Sequence, residues 1–139
     1  MKIQFTPSIA DDIPQIQEWA AHDPYHFVQA SPEWWLTGAP GSLLAFCLTD
    51  ERGPLIYVRI EAEGEYARTH IQFAPESVVS KRRLVVGLIL GLATMKGALP
   101  GAGMKGMIFN TVNPSLAAFF KKQGFVSVGD DDYRLDFES

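Results

Sequence analysis

Proton transfer and anion binding are the two kinds of chemistry that the residue types of this 139-residue chain offer. His70 is the candidate for proton transfer, because an imidazole titrates near neutral pH and His70 lies inside Tyr66–Phe73, whose alternation predicts a strand. The anion candidate is the basic run of Lys81, Arg82 and Arg83, which opens an apolar segment that predicts a helix. The free N–H groups and the dipole of a helix start attract anions. A histidine in a strand is also often a structural or surface residue, so both interpretations of His70 stay open.

Three other patterns are interpreted without a chemical role. His22 and His26 have the i, i+4 spacing of a metal pair, but Pro24 between them argues against a helix and no third ligand is evident, so we expect no metal. The run Gly101–Gly106 matches Gly-x-Gly-x-x-Gly, but it precedes a predicted strand instead of joining a strand to a helix, which indicates a flexible loop. Cys47 lies in an apolar strand and is interpreted as a small core residue.

The elements that position these residues follow from hydrophobic periodicity. Hairpin strands in the middle of the chain imply antiparallel pairing, and helices on either side imply crossovers with some parallel pairing. Gly87 and Gly91, four residues apart, indicate a helix face that packs closely on a sheet. The pattern predicts helices at Ser8–Ala21, Lys81–Lys96 and between Asn113 and Gly124, a helical turn at Ser31–Leu36, and strands at Lys2–Thr6, Ser42–Thr49, Leu55–Ile60, Tyr66–Phe73, Met107–Val112, Val126–Val128 and Tyr133–Phe137.

Length and composition indicate one globular domain over residues 1–139, with 47% apolar and 20% charged residues. The net charge of −4 lowers the expectation of nucleic acid or an anionic membrane as a partner. The single cysteine fits a reducing compartment, and the N-terminus lacks the apolar segment of a signal peptide. The longest apolar run, Leu84–Met95, is roughly half of the ~20 residues of a membrane helix. We therefore expect a soluble, cytoplasmic protein.

One segment, Asn113–Phe125, carries a family resemblance. Asn113 can cap a helix, Pro114 suits its first position, and Gly124 followed by Phe125 can end it. Together with the element order, this segment resembles the Asn-x-x-Ala/Leu … Phe-Tyr-x-Lys-x-Gly-Phe segment of the GNAT superfamily of acyl-CoA-dependent N-acyltransferases. The resemblance implies an α/β (α+β) fold with a mixed, mainly antiparallel, twisted sheet of about seven strands flanked by about four helices.

The resemblance also implies site residues. Acetyl-CoA, as co-substrate, would lie between the strand ending at Phe73 and the next strand along the sheet, with its pyrophosphate on the following helix start. The implied cofactor-binding set is Ile71, Phe73, Lys81, Arg82, Arg83, Leu84, Val85, Val86, Asn113 and Phe120. The implied acceptor-side wall is His22, Tyr25, His26, Trp34 and Trp35, although the two tryptophans are equally consistent with a cap on the core. The catalytic candidates are His70, Glu61 and Tyr133, and Glu61 is also consistent with a solvated hairpin tip.

Two features depart from the family pattern. The run Lys81–Val86 has no glycine where the family's phosphate loop has glycines, and Phe120 stands where many members have a tyrosine that protonates the leaving thiolate. The resemblance implies an N-acetyltransferase that acts on a primary amine of a small molecule or a protein, and it is compatible with a homodimer. The alternatives are a catalytically degenerate GNAT-fold protein that binds CoA or a protein partner without turnover, and a structural or interaction protein.

Overall fold

The computed structural model describes residues 2–23 and 31–137. In this part of the chain, seven strands form one sheet in the order β1-β2-β3-β4-β5-β7-β6. The strands are β1 (Gln4–Pro7), β2 (Leu44–Asp50), β3 (Gly53–Glu63), β4 (Tyr66–Phe73), β5 (Gly106–Asn110), β6 (Val126–Gly129) and β7 (Asp132–Asp136). The α-helices are α1 (Ile13–Ala21), α2 (Lys81–Ala98) and α3 (Pro114–Lys122), and 3₁₀ turns occupy Ala10–Asp12, Pro32–Trp35 and Leu99–Ala102.

The sheet is mixed and mainly antiparallel, which confirms the predicted fold class. Only β4 and β5 pair in parallel, because α2 crosses over between them. Their register runs from Tyr66 opposite Gly106 to Thr69 opposite Phe109. Beyond Thr69, β4 continues to Phe73 with no further pairing to β5, so a gap opens between the two strands.

Helix α2 packs on the sheet through a face without side chains at two positions. A Cβ atom on Gly87 would lie 2.8 Å from Cδ1 of Leu55, and one on Gly91 would lie 2.7 Å from Cδ1 of Leu48. The predicted close contact between helix and sheet is therefore confirmed. Buried side chains flank the two glycines and join the hydrophobic core: Leu84, Leu88, Leu92 and Met95.

Helix α2 and its 3₁₀ continuation are longer than the apolar run seen in the sequence. Lys81–Ala102 covers 22 residues and is long and apolar enough to cross a membrane by length and composition alone. Core helices of globular domains pass the same test, and the buried face of α2 on the sheet accounts for its apolar composition.

Several helices and strands begin or end at residues other than those predicted. The predicted helix Ser8–Ala21 divides into a 3₁₀ turn and α1, which begins at Ile13 with Pro14 in its first turn. The segment Ser31–Leu36 is a 3₁₀ turn, so the described residues contain three α-helices instead of about four. β5 ends at Asn110, two residues earlier than predicted, because Thr111 starts the turn into α3 and its hydroxyl accepts the Asn113 N–H at 3.1 Å.

Helix α3 is built as its sequence predicts. The side-chain oxygen of Asn113 accepts the N–H groups of Ser115 at 3.0 Å and Leu116 at 3.4 Å. Gly124 takes a left-handed conformation with φ of 97°, and the Phe125 N–H donates to the carbonyl of Phe120 at 3.0 Å. These contacts cap both ends of the helix and fold Phe125 back onto it.

Candidate functional site

A cavity of about 580 Å³ opens at the end of β4. Its walls come from the C-terminal end of β4, the following loop, the first half of α2, the start of α3 and the end of α1. Since α3 follows β5 directly, the cavity lies where the parallel strands have separated. The lining residues are Trp19, His22, Asp23, Phe73, Ala74, Pro75, Glu76, Ser77, Lys81, Leu84, Val85, Leu88, Asn113, Ser115, Leu116 and Phe119.

The structure divides the predicted cofactor-binding residues into two groups. Five of them line the cavity, namely Phe73, Lys81, Leu84, Val85 and Asn113. The other five, Ile71, Arg82, Arg83, Val86 and Phe120, are not among its lining residues. Ile71 is buried within β4, and Phe120 is fully buried with its ring stacked on Phe109 at 4.4 Å between centroids.

Arg83 is held by a carboxylate at the end of β2. Its Nε and one terminal nitrogen donate to the two oxygens of Asp50 at 2.9 and 2.8 Å, and the Asp50 side chain is 1% exposed. The Arg83 hydrogen bonds lower the pKa of Asp50 below its usual value. This bidentate ion pair therefore links the first turn of α2 to the sheet. It also engages a guanidinium group that the sequence predicted to bind phosphate.

Both helix starts in the cavity wall are capped by their own residues. In α2, the Arg83 N–H donates to the Ser80 hydroxyl at 3.3 Å and the Leu84 N–H to the Ser80 carbonyl at 3.1 Å. In α3, Pro114 has no N–H, Asn113 takes those of Ser115 and Leu116, and Ala117 donates to the Asn113 carbonyl. Capping thus satisfies the first N–H groups of α3, whereas in α2 the Ser80 side chain satisfies that of Arg83 and leaves those of Lys81 and Arg82 for a bound anion.

His70 lies beside Glu61 on the adjacent strand. Nε2 of His70 is 2.7 Å from Oε1 of Glu61, and Nε of Arg59 is 3.4 Å from the same oxygen. Burial lowers the pKa of His70 below 6.5, although the Glu61 carboxylate opposes this shift, and the charges of Arg68 and Arg59 add to it. The lowered pKa of His70 therefore favours its neutral form, which can accept a proton.

Trp34 covers this pair. Its ring meets the His70 ring edge to face at 4.7 Å, and the Arg59 guanidinium lies 4.3 Å from its centroid. Arg59 is 2% exposed and donates to the carbonyls of Trp34 at 2.6 Å and Pro40 at 2.8 Å. Arg59 thereby fixes the Pro32–Trp35 turn on the sheet face that carries His70.

His70 and Glu61 are not cavity-lining residues. They share a sheet face with Tyr57, whose ring lies 5.0 Å from that of Trp19 in α1. His70 is the first residue of β4 beyond the stretch paired with β5, which places it at the start of the gap. His70 therefore lies at the start of the unpaired stretch of β4, and the cavity opens at the end of the same stretch.

The remaining predicted site residues lie in different places. His22 lines the cavity, and its Nδ1 is 2.8 Å from the carbonyl of Glu18. Trp35 is buried, and its carbonyl accepts the Ser8 hydroxyl at 2.6 Å. Tyr133 lies on β7 opposite Phe109, outside the cavity lining. Tyr25 and His26 lie outside the described residues.

Sequence reasoning missed several wall residues. Trp19 and Phe119 lie in segments for which the sequence predicts only helices, and no role is predicted from the sequence for Asp23 or Glu76. The Asp23 carboxylate accepts a hydrogen bond at 3.0 Å from the amide of Gln72, which is 2% exposed. Gln72 lies between Ile71 and Phe73 in a predicted strand, and a polar side chain buried there needs a hydrogen-bond partner. Its position could therefore have predicted a buried polar contact.

Within residues 2–23 and 31–137, no three His, Cys, Asp or Glu side chains come close enough to hold a metal ion.

The sequence matches no protein-family model and no curated protein. Its structure matches ribosomal-protein-S18-alanine N-acetyltransferase from Escherichia coli with a TM-score of 0.68 and 15% identity, over 99% of this chain and 96% of that one. The chain has the fold of the GNAT acetyltransferases. A GNAT family acetyltransferase from Brucella melitensis, solved in complex with acetyl-CoA, matches with a TM-score of 0.61 and 16% identity, over 99% of this chain and 90% of that one. A putative phosphinothricin N-acetyltransferase matches with a TM-score of 0.72 and 16% identity, over 99% and 100% of the two chains. The resemblance to the GNAT superfamily drawn from Asn113–Phe125 is thus confirmed at the level of the fold.

Proposed function

We propose that this protein is an N-acetyltransferase that moves an acetyl group from acetyl-CoA to a primary amine. The observation that carries the proposal is the stretch of β4 that is not paired with β5, with a histidine beside a carboxylate at its start and a cavity at its end. The fold supports it, because structural neighbours are N-acetyltransferases and one was solved with acetyl-CoA. The acceptor is an amine on a small molecule or a protein.

In this proposal His70 accepts the proton of the acceptor's ammonium group. The free amine then attacks the thioester carbonyl, a C–N bond forms and the C–S bond breaks. CoA leaves as a thiolate, which takes up, through water, the second proton that the nitrogen releases as the amide forms. Glu61 stabilises the imidazolium that forms on His70, since its Oε1 is already 2.7 Å from Nε2. Backbone N–H groups of β4 near Phe73 polarise the carbonyl, because this edge of the strand is not paired with β5.

The test is release of free CoA thiol, measured with a disulfide reagent in the presence of acetyl-CoA and a panel of amines. The chain suits this assay because its single thiol, Cys47, is buried, and burial raises the pKa of that thiol to about 12. A thiol-release rate that depends on both the amine and the protein supports the proposal. Calorimetry with acetyl-CoA is the second measurement, and no binding at millimolar concentration contradicts the proposal.

The alternative function is binding of CoA or a protein partner without turnover. Phe120 favours it, because its ring is fully buried against Phe109 and a phenyl ring donates no proton to a leaving thiolate. Binding of CoA without thiol release across a broad amine panel supports the alternative. Turnover well above the uncatalysed rate excludes it.

A further inference from the structure

The described residues of the cavity wall offer little positive charge to a diphosphate. Lys81 is the cationic side chain among its lining residues, and the carboxylates of Asp23 and Glu76 lie in the same wall. Arg83, two residues after Lys81, is held by both oxygens of Asp50. The diphosphate of CoA carries several negative charges, and among these wall residues it meets two carboxylates and one ammonium group, so more negative than positive charge.

The two helix starts compensate only in part for the missing cations. Helix α3 has used its first N–H groups through Asn113, and α2 has used that of Arg83 through Ser80. Among the first four positions of α2, this leaves the N–H groups of Lys81 and Arg82 for a ligand. The segment before α2 contains no glycine from Glu76 to Ser80, so side chains separate its backbone from an incoming phosphate.

The rest of the wall is largely apolar. Trp19, Leu88 and Phe119 face the same space as the end of β4. Beyond Thr69, the β5-facing edge of β4 has backbone N–H and C=O groups with no partner strand, and an extended chain containing amide groups can pair with such an edge. An acyl-pantetheine arm has this character, since it combines apolar methylene and methyl groups with two amides.

We propose that the cavity recognises its acyl donor through the pantetheine thioester, and that the ADP part of CoA adds little to recognition. The donor class is then any acyl thioester of pantetheine, whether the arm belongs to CoA or to a phosphopantetheine-bearing carrier. This inference rests on the proposed acyl transfer, because it names what the same site selects in its donor.

The test compares acetyl-CoA, acetyl-4′-phosphopantetheine and acetyl-pantetheine as donors, and CoA and pantetheine as ligands in calorimetry. We expect kcat/KM to differ by less than about tenfold among the three donors, and the Kd of pantetheine to lie within about tenfold of that of CoA. A preference for acetyl-CoA above about 100-fold overturns the inference while the proposed function stands. If none of the three donors is consumed and neither CoA nor pantetheine binds, both this inference and the proposed function are wrong.

A matched pair of variants tests the electrostatic argument by binding alone. Glu76→Gln removes a carboxylate from the cavity wall, and Glu18→Gln removes one from the exposed side of α1 outside the wall. We expect Glu76→Gln to lower the Kd of CoA by about three- to tenfold and to leave that of pantetheine unchanged, with Glu18→Gln changing neither. An unchanged or weakened CoA affinity in Glu76→Gln counts against the inference. A comparison of acetyl-CoA with a pre-loaded acetyl carrier protein as donors then shows whether the protein uses the pantetheine arm of CoA or that of a carrier.

Discussion

The imidazole of His70 and the carboxylate of Glu61 lie 2.7 Å apart on neighbouring strands, with Arg59 3.4 Å from the same carboxylate oxygen. This carboxylate is shared between a histidine whose pKa is lowered by burial and an arginine that is buried itself. The carboxylate charge therefore stabilises a proton on His70, against the effect of burial.

The first prediction concerns the pH dependence of acetyl transfer. The pKa of His70 is lowered from 6.5, so we expect kcat/KM to fall only as the pH drops below 6.5 and through that lowered pKa. Glu61→Gln removes the charge that raises the His70 pKa, so the acid limb of the profile moves to lower pH. His70→Gln abolishes the acid limb and lowers kcat by about 10²-fold. The profiles are measured by thiol release, and an acid limb that persists in His70→Gln refutes the role of His70.

The second prediction compares two glycines of α2. Gly91→Ala places a Cβ 2.7 Å from Cδ1 of the fully buried Leu48, whereas a Cβ on Gly97 meets no atom within 4 Å. Both changes gain roughly 0.8–1 kcal/mol of helix propensity, but overpacking costs about 1–3 kcal/mol at Gly91. We expect Gly97→Ala to raise the free energy of unfolding by up to about 1 kcal/mol and Gly91→Ala to lower it by about 1 kcal/mol. Urea unfolding measures both, and equal stabilisation by the two variants would falsify the packing argument.

The third prediction concerns acid stability. The pKa of Asp50 is lowered in the folded protein, mainly by its hydrogen bonds from Arg83. The stabilisation is therefore present above the unfolded pKa of about 3.9 and is lost as pH falls through the lower folded pKa. Asp50→Asn is expected to be less stable than the parent at pH 6 and to lose less stability between pH 6 and pH 3. Parallel losses in the two proteins over this range contradict the assignment.

The sequence predicted what local chemistry determines. Asn113, Pro114 and Gly124 each act within a few residues of themselves, so the limits of α3 followed from their types. Gly87 and Gly91 revealed a helix face in contact with the sheet. These features can be predicted because the residues that form each of them lie close together in the sequence or at a spacing that places them on one face of a helix.

Contacts between distant segments could not be predicted in the same way. The basic run Lys81–Arg83 suggested a phosphate site. Nothing in the sequence indicated that Arg83 forms an ion pair with Asp50, which lies 33 residues before it. The contact between His70 and Glu61 depends on the register of β3 against β4. A shift of one residue in that register would move the side chain to the opposite face of the sheet. Asp23 reaches Gln72 across 49 residues. Site geometry of this kind follows from the tertiary fold and not from spacing in the chain.

The last prediction concerns Phe120, whose ring packs among Phe109, Phe119 and Phe125 with centroid distances of 4.4, 5.8 and 5.2 Å. Phe120→Ala removes a fully buried ring and is expected to lower the free energy of unfolding by about 3–5 kcal/mol. Val128→Ala, on the exposed strand β6, is the control and is expected to change it by about 0.5 kcal/mol or less.

Phe120→Tyr separates packing from catalysis at the same position. Its phenol hydroxyl enters the aromatic cluster, which costs about 1–3 kcal/mol where no hydrogen-bond partner is reached. We therefore expect Phe120→Tyr to lower stability without increasing the rate of thiol release. A variant with parental stability and faster release would place this ring at the thioester, because a new hydroxyl that costs nothing has reached a polar or solvated site. Urea unfolding and thiol release on the same preparation decide between these results.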